Sequence, residues 1–258
     1  METSYELDLD DERTIEFSLY HRSKRTSVEM MQARGFSVGD DERYLTMNLE
    51  DFIDEIGPSE INYDALTGRY EKREDGTHGM LSSQNRGSPG HGVTNRGALS
   101  HGVLIKFIQP QERPKTKGVD NFITIFLNEL RVMKYDQVTG ILVYNQPLTV
   151  EMRKTLVKKY PFTVEFFDIK ELIVNITNHV YQPVYVTLSK QEQKEFLERN
   201  KSATPSRLPK MRDDPTVKFY GWQVGQIVQV TFTSNLSENM DDKSVEHYYI
   251  DAPLQTKE

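Results

Sequence analysis

The chain has no cysteine and only one tryptophan among its 258 residues. Without cysteine it has no disulfide and no thiolate metal site, a composition that suits a reducing compartment. It also lacks an apolar run long enough to span a bilayer, and 28% of its residues are charged, so we expect a soluble protein. The first eight residues are acidic and lack the basic and apolar segments of a secretory signal, which predicts no export.

An excess of basic residues is absent as well. The formal net charge is −7, so the molecule as a whole is not an electrostatic nucleic-acid binder, and any phosphate contact has to come from a local patch. Hydrophobic residues make up 36% of the chain and aromatic residues 10%. That content is enough to bury one large core or two modest ones.

The stretch from Leu208 to Phe232 carries the sharpest local pattern. Asp214 followed by Pro215 predicts the start of a helix, since a carboxylate caps the first turn and the proline ring pre-sets its backbone angle. Gly221 predicts its end in a left-handed conformation, and Gly225 a second turn. The β-branched residues that follow predict a strand over 227–232.

The chain before this stretch predicts two helices and then an alternation of strands and helices. The first helix ends at Gly35, and the second is capped by Asn48 and closed by Gly57; we expect them to pack on each other, whereas residues 59–75 give no assignable pattern. In the first helix the residues at helical spacing, with one charged interruption, are Phe17, Tyr20, Lys24, Val28 and Met31. The apolar residues of the second helix are Leu49, Phe52, Ile53 and Ile56.

Residues 103–167 predict a β-α-β-α-β order. Strands are expected over 103–108, 140–144 and 163–167, with helices that begin at Asp120 and Thr149. This order predicts neighbouring parallel strands and an α/β N-terminal domain.

Residues 76–102 contain a short tandem repeat, in which Asn85-Arg86-Gly87 recurs as Asn95-Arg96-Gly97. Seven glycines fall in this tract, and such a composition predicts a mobile insertion. His78, His91 and His101 invite a metal interpretation, but the tract offers them no carboxylate or thiolate partner, so no metal site is predicted.

The last part of the chain predicts a small α+β domain. Ser189 and Glu192 form a capping box for a helix that ends near Asn200. After the strand over 227–232 we expect a polar hairpin tip over 234–244 and a closing strand over 245–250.

The order of residues in the central stretch resembles the signature of one protein family, the fifth-largest common subunit of eukaryotic-type DNA-directed RNA polymerases together with its archaeal counterpart. Residues 172–179 resemble the join between the family's two domains, and Arg25-Thr26 with Arg34-Gly35-Phe36 resembles its first helix. The resemblance covers most of the chain outside 57–102. The residues of the central signature, which we name the assembly motif, are Leu208, Pro209, Asp214, Pro215, Tyr220, Gly221, Gly225 and Val228.

The resemblance implies two domains, a jaw domain over 1–177 with an insertion at about 76–102 and an assembly domain over 178–258. It implies a non-catalytic polymerase subunit without cofactor, small-molecule substrate or membrane contact. The assembly domain would dock on the largest subunit, and the jaw would lie near downstream double-stranded DNA. Thr149 lines up with the threonine of a Thr-Pro-Ser-Ala run in eukaryotic members, but Val150-Glu151-Met152 follow here, which leaves that run's function in doubt.

Two basic clusters are candidates for contact with DNA phosphates, although each is equally explained as a solvated helix face. They are Arg22, Lys24 and Arg25 on one helix, and Arg153, Lys154, Lys158 and Lys159 on another.

The alternative function is a free-standing Mg²⁺-dependent nuclease. Asp168 and Lys170 follow a strand directly, the spacing by which such enzymes place a metal ligand beside a charge stabiliser. An ordinary helix start explains the same residues. We expect the polymerase subunit in the nucleus; the repeat-bearing insertion favours a divergent lineage such as a large DNA virus, for which a cytoplasmic viral factory or the virion is expected instead.

Overall fold

The computed structural model describes residues 12–57, 60–73, 100–108, 118–146, 162–200, 204–233 and 243–251. The chain divides into two compact units between Val174 and Asn175. Within the ranges just given, each helix is too short or too polar to cross a bilayer.

The first unit has three α-helices in its described part. Both predicted N-terminal helices are confirmed: the Asn48 side chain accepts a hydrogen bond from the Asp51 amide at 2.8 Å, and Gly35 leaves the first helix with φ 79°. The two helices pack together, with the His21 and Phe52 ring centroids 5.0 Å apart. The helices are α1 (Glu12–Ala33), α2 (Leu49–Ile56) and α3 (Gly118–Val132), with 3₁₀ turns at Gly39–Leu45 and Ile169–Leu172.

The sheet of the first unit has four strands within the described residues, in the order β1-β2-β3-β4. Strands β2, β3 and β4 run parallel, as predicted, and β1 pairs antiparallel with β2. Helix α3 packs on this sheet through Phe126 and Leu130, which lie against Leu104 and Leu142 in one buried cluster. The strands are β1 (Gly68–Arg73), β2 (Ser100–Phe107), β3 (Gln137–Tyr144) and β4 (Thr163–Asp168).

Two sequence predictions in this unit are wrong in detail. Helix α3 begins at Gly118, two residues before the predicted start at Asp120. Strand β2 begins at Ser100, so His101 and Gly102 belong to the sheet and not to a mobile repeat. The His101 ring nitrogen Nε2 lies 2.9 Å from the Thr139 hydroxyl, so this hydrogen bond connects the side chains of β2 and β3. The rest of the repeat, the helix from Thr149 and the hairpin tip over 234–242 lie outside the described residues.

The second unit is a mixed sheet with two helices in its described part. Ser189 and Glu192 form the predicted capping box. Strand β7 pairs antiparallel with β5 on one side and β8 on the other, and β6 runs parallel to β8. The predicted closing strand begins at Lys243, two residues earlier than Val245. The elements are β5 (Val184–Thr187), α4 (Lys190–Arg199), β6 (Lys210–Met211), α5 (Pro215–Tyr220), β7 (Ile227–Thr233) and β8 (Lys243–Ile250), with a 3₁₀ turn at Ile176–Asn178.

One apolar cluster of this unit lies on one face of the sheet. Val228, Val230 and Ile250 are fully buried there, and Val217 and Trp222 from α5 and its exit pack over them. The sheet order β5-β7-β8-β6 places β5 at one edge of the described sheet.

Candidate functional site

Helix α5 is fixed at both ends by its own sequence. The Asp214 carboxylate accepts a hydrogen bond from the Thr216 amide at 2.7 Å, and Pro215 occupies the first turn. Gly221 ends the helix with φ 66° and ψ 31°, the left-handed conformation that glycine adopts without strain. The Trp222 amide then donates to the Val217 carbonyl at 3.1 Å. The direction of the chain after α5 is therefore defined by backbone hydrogen bonds.

Three half-buried aromatic rings gather at the exit of α5, and we call Tyr185, Tyr220 and Trp222 the aromatic cluster. Tyr220 and Trp222 stack with centroids 4.8 Å apart and planes 13° apart, and Tyr185 lies 5.5 Å from Trp222. Phe219, which is buried, packs edge-on against Tyr220 at 5.4 Å. Three partly exposed rings thus pack together next to a buried one, and aromatic side chains of this kind are enriched at protein interfaces.

The hydroxyl groups of the cluster are bound within the unit. Tyr185 Oη accepts a hydrogen bond from Gln182 Nε2 at 3.2 Å and also bonds the Thr216 side chain, while Tyr220 bonds the Thr177 side chain. Burial is the main cause that raises the pKa of both tyrosines above the usual value, so both hydroxyls stay neutral at physiological pH. These bonds hold the rings in one orientation.

The remaining residues of the assembly motif lie at the end of the sheet next to α5. The Pro209 carbonyl accepts from the Tyr249 amide at 2.8 Å, and the Gly225 amide donates to the Ile250 carbonyl at 2.9 Å. Leu208 is half-buried, and its amide donates to the Thr204 carbonyl. Val228 is fully buried in the core. Within the motif, Val228 and Gly221 thus support the fold, whereas Tyr220 presents a partly exposed side chain.

Sequence reasoning missed an exposed apolar stretch that leads into β5. Val180, Tyr181, Val184 and Val186 are all exposed. The signal is present in the sequence, because no charged residue occurs between His179 and Ser189, where valine, tyrosine and leucine predominate. An exposed apolar run of this kind commonly marks an interaction surface.

The structure separates the members of the first basic cluster. Arg22 and Arg25 are exposed, but Lys24 is only 1% exposed, so its predicted contact with DNA phosphate is wrong. Its ammonium nitrogen lies 2.7 Å from the Asp41 carboxylate and 3.2 Å from the Leu66 carbonyl oxygen. The helical spacing of Lys24 with the apolar residues of α1 is the better guide to its position. Arg153, Lys154, Lys158 and Lys159 lie outside the described residues.

Asp168 and Lys170 belong to the first turn of a 3₁₀ helix. The Asp168 carboxylate accepts from the Lys170 amide at 2.9 Å, and the Glu171 carboxylate accepts from the Asp168 amide at 2.9 Å. Asp168 and Glu171 thus form the capping box of a 3₁₀ turn. Tyr144 is the residue opposite Asp168 on β3, where a nuclease needs a second acid. No group of three or more potential metal ligands occurs among the residues that the structure describes.

Comparisons with known proteins identify relatives of one kind. The family described as RNA polymerase Rpb5, C-terminal domain, matches residues 174–241. The chain is 24% identical to subunit 5B of DNA-directed RNA polymerases IV and V from Arabidopsis thaliana over 88% of each chain. It is 24% identical to the Arabidopsis polymerase V subunit 5A over 85% of this chain and 84% of that one. Over 38% of this chain and 52% of the relative, it is 34% identical to subunit rpabc1 of polymerases I, II and III from Dictyostelium discoideum.

Proposed function

We propose that the chain is a member of the Rpb5 family of RNA polymerase subunits and that it assembles as a non-catalytic subunit of a DNA-directed RNA polymerase. The observation that carries this proposal is the match over 174–241, which begins within one residue of the second compact unit. The matched region contains all of α5 and the aromatic cluster. The nucleus is the expected place of action, because the chain's relatives are subunits of eukaryotic polymerases.

The second unit docks on the largest polymerase subunit through the aromatic cluster. Aromatic side chains carry a large share of the binding energy at protein interfaces, since they bury much area at little conformational cost. Here Tyr220 and Trp222 are stacked and partly exposed on a turn whose backbone is fixed. Their orientation is set before binding, which lowers the entropic cost of association.

Affinity purification of the tagged full chain tests the assignment. The largest polymerase subunit and RNA synthesis are expected in the eluate. Tyr220→Ala is expected to reduce capture of that subunit at least tenfold while the second unit still unfolds cooperatively on heating. Tyr220→Phe keeps the ring and removes only the bond to Thr177, so it is the matched control and should retain capture. An eluate without polymerase subunits would refute the assignment.

The first unit contributes a local contact with downstream DNA. Arg22 and Arg25 are exposed and three residues apart on α1, so both side chains lie on one face of the helix. Two cations on one face can pair with neighbouring phosphates although the whole chain is acidic.

Charge reversal at both positions is expected to weaken retention of downstream duplex by the purified polymerase, more at 50 mM salt than at 200 mM, because such contacts release counterions. The control is Arg131→Glu with Lys134→Glu, which makes the same change of charge on exposed residues near the end of α3. Equal retention by both double variants at every salt concentration would exclude α1 as the contact.

A further inference from the structure

Strand β5 has an unprotected hydrogen-bonding edge. The Leu188 amide donates to the Ile227 carbonyl at 3.0 Å, and the register then makes Val186 with Gln229, and Val184 with Thr231, the hydrogen-bonded pairs. Tyr185 and Thr187 alternate with them, so their N–H and C=O groups point away from β7. In the part of the chain that the structure describes, no other strand lies on this side of β5.

The side chains of β5 also lack the usual defences of a sheet edge. Natural edge strands are commonly guarded by charged residues, prolines or bulges, because bare edges pair with other chains. Pro183 precedes β5, but the strand itself contains only Val184, Tyr185, Val186 and Thr187. Val184 is 60% exposed and Val186 48%, and both lie on the same face. On that face, Val245 of β8, 51% exposed, continues the row from Val184 through Thr231.

We propose that β5 accepts an extended, uncharged segment of the largest polymerase subunit, which adds to this sheet as a further strand. The inference rests on the proposed function and states how the docking is made. Only an extended backbone offers donors and acceptors at the spacing of Tyr185 and Thr187. Charged side chains are disfavoured opposite Val184 and Val186, because their desolvation would go uncompensated.

The edge and the aromatic cluster form one continuous surface. Tyr185 shares the outward backbone groups of β5 with Thr187, and its ring packs against Trp222 and Tyr220. A segment added at β5 therefore runs beside the cluster that the proposed function assigns to the largest subunit. Nucleic acid is a poor occupant, since no cation occurs between His179 and Lys190 to pair with phosphate. A β5-to-β5 pairing of two copies would bury only two short strands, little area for a stable dimer.

The sharpest variant is Thr187→Pro, which removes an outward N–H and leaves the bonds to β7 in place. A second variant, Val184→Lys with Val186→Lys, tests the apolar face by a different route. Val132→Lys is the matched control, because Val132 is an exposed valine at the end of α3 in the first unit. In full-length chains, capture of the largest subunit is expected to fall at least tenfold for both β5 variants and to stay unchanged for the control.

Hydrogen exchange gives a readout that a purely structural role would not change. The amides of Tyr185 and Thr187 should exchange quickly in the free chain and become protected in the complex with the largest subunit, whereas the Val186 amide should be protected in both. Undiminished capture by both β5 variants, or unprotected Tyr185 and Thr187 amides in the complex, would overturn the strand-addition proposal alone. Failure of the unmodified chain to capture polymerase would remove the proposed function itself. A dimer of the free chain that Thr187→Pro dissolves would assign the edge to a second copy and also overturn the proposal.

Discussion

Lys24 is a charged residue held inside the first unit. Its ammonium group bonds the Asp41 carboxylate and the Leu66 carbonyl and lies 4.9 Å from the centre of the Tyr44 ring. The Asp41 carboxylate also accepts from Tyr70 Oη at 2.7 Å. Burial lowers the pKa of Lys24, and the nearby Asp41 charge partly opposes that effect. One lysine thus ties α1 to the 3₁₀ turn at Gly39–Leu45 and to the loop before β1.

Lys24→Met should destabilise the first unit by about 3 kcal/mol, because it leaves the Asp41 carboxylate without its cation partner. Arg25→Met on the same helix is the control. Arg25 is exposed, and its Nε lies 3.5 Å from Glu29 Oε1. Exposed ion pairs contribute little, so this substitution should lower the free energy of unfolding by under about 0.5 kcal/mol. Urea unfolding followed by circular dichroism measures both. Equal midpoints for the two variants would contradict the structural role of Lys24.

Gly221 is the second residue on which a local structure depends. Its φ of 66° lies in the left-handed region, where a β-branched side chain clashes with its own backbone. Gly221→Val should cost about 1 to 3 kcal/mol and lower the thermal midpoint of the second unit. Gly221→Asn should cost clearly less, since asparagine tolerates this conformation. A valine variant as stable as the asparagine variant would show that the turn can end in another way.

At the scale of helices and strands, sequence patterns predicted the elements that carry a local signal. Asn48, Ser189 and Asp214 each cap a helix as expected, and the apolar runs of β2 and β3 form buried parallel strands. Strand β1 gave no such signal, because its sequence is mostly charged and it forms by pairing with β2, far along the chain. Strands β5 and β6 are short and are likewise defined by their partners.

The same distinction explains what could be predicted of the candidate site. The α5 turn and its glycine exit follow from neighbouring residues, so the motif from Asp214 to Gly221 was evident in the sequence. The aromatic cluster was not, because Tyr185 joins it only through the pairing of β5 with β7. Burial of Lys24 also depends on Asp41, which arrives from a separate turn.

Helix α4 has no buried residue, and its Phe196 ring stacks on His247 of β8 with centroids 4.2 Å apart. Burial lowers the pKa of His247 below its usual value, so the folded unit binds fewer protons there than the unfolded chain. The contribution of this contact is therefore present above about pH 6.5 and is lost as the pH falls through the lowered pKa of the folded state. Amide protection in α4, corrected for intrinsic exchange, should be lower at pH 5 than at pH 7.5. His247→Gln should remove this dependence; a dependence that persists in the variant would point to another group.

At the scale of the whole molecule, the two units differ in the kind of residues that could bind a partner. The first unit has a buried charged network around Lys24 and exposed arginines on α1, and the second has the aromatic cluster and the β5 edge. The family match falls on the second unit, whereas the Arabidopsis relatives align over most of the chain. We therefore expect the proposed docking on the largest subunit to depend on the second unit alone.

Residues 175–258 are expected to fold in isolation and to capture the largest subunit without the first unit. Four strands with two packed helices supply the minimum for independent stability within the described part of this unit, and a start at Asn175 keeps Thr177, which bonds Tyr220. The stability of so small a domain should be about 5 kcal/mol or less, so Gly221→Val should unfold a measurable fraction of it at 37 °C. Thermal unfolding and pull-down of the largest subunit test the fragment, with residues 1–174 as the control that should capture nothing. An unfolded fragment would contradict independent folding of the second unit, and a folded one that leaves capture to residues 1–174 would move the docking surface to the first unit.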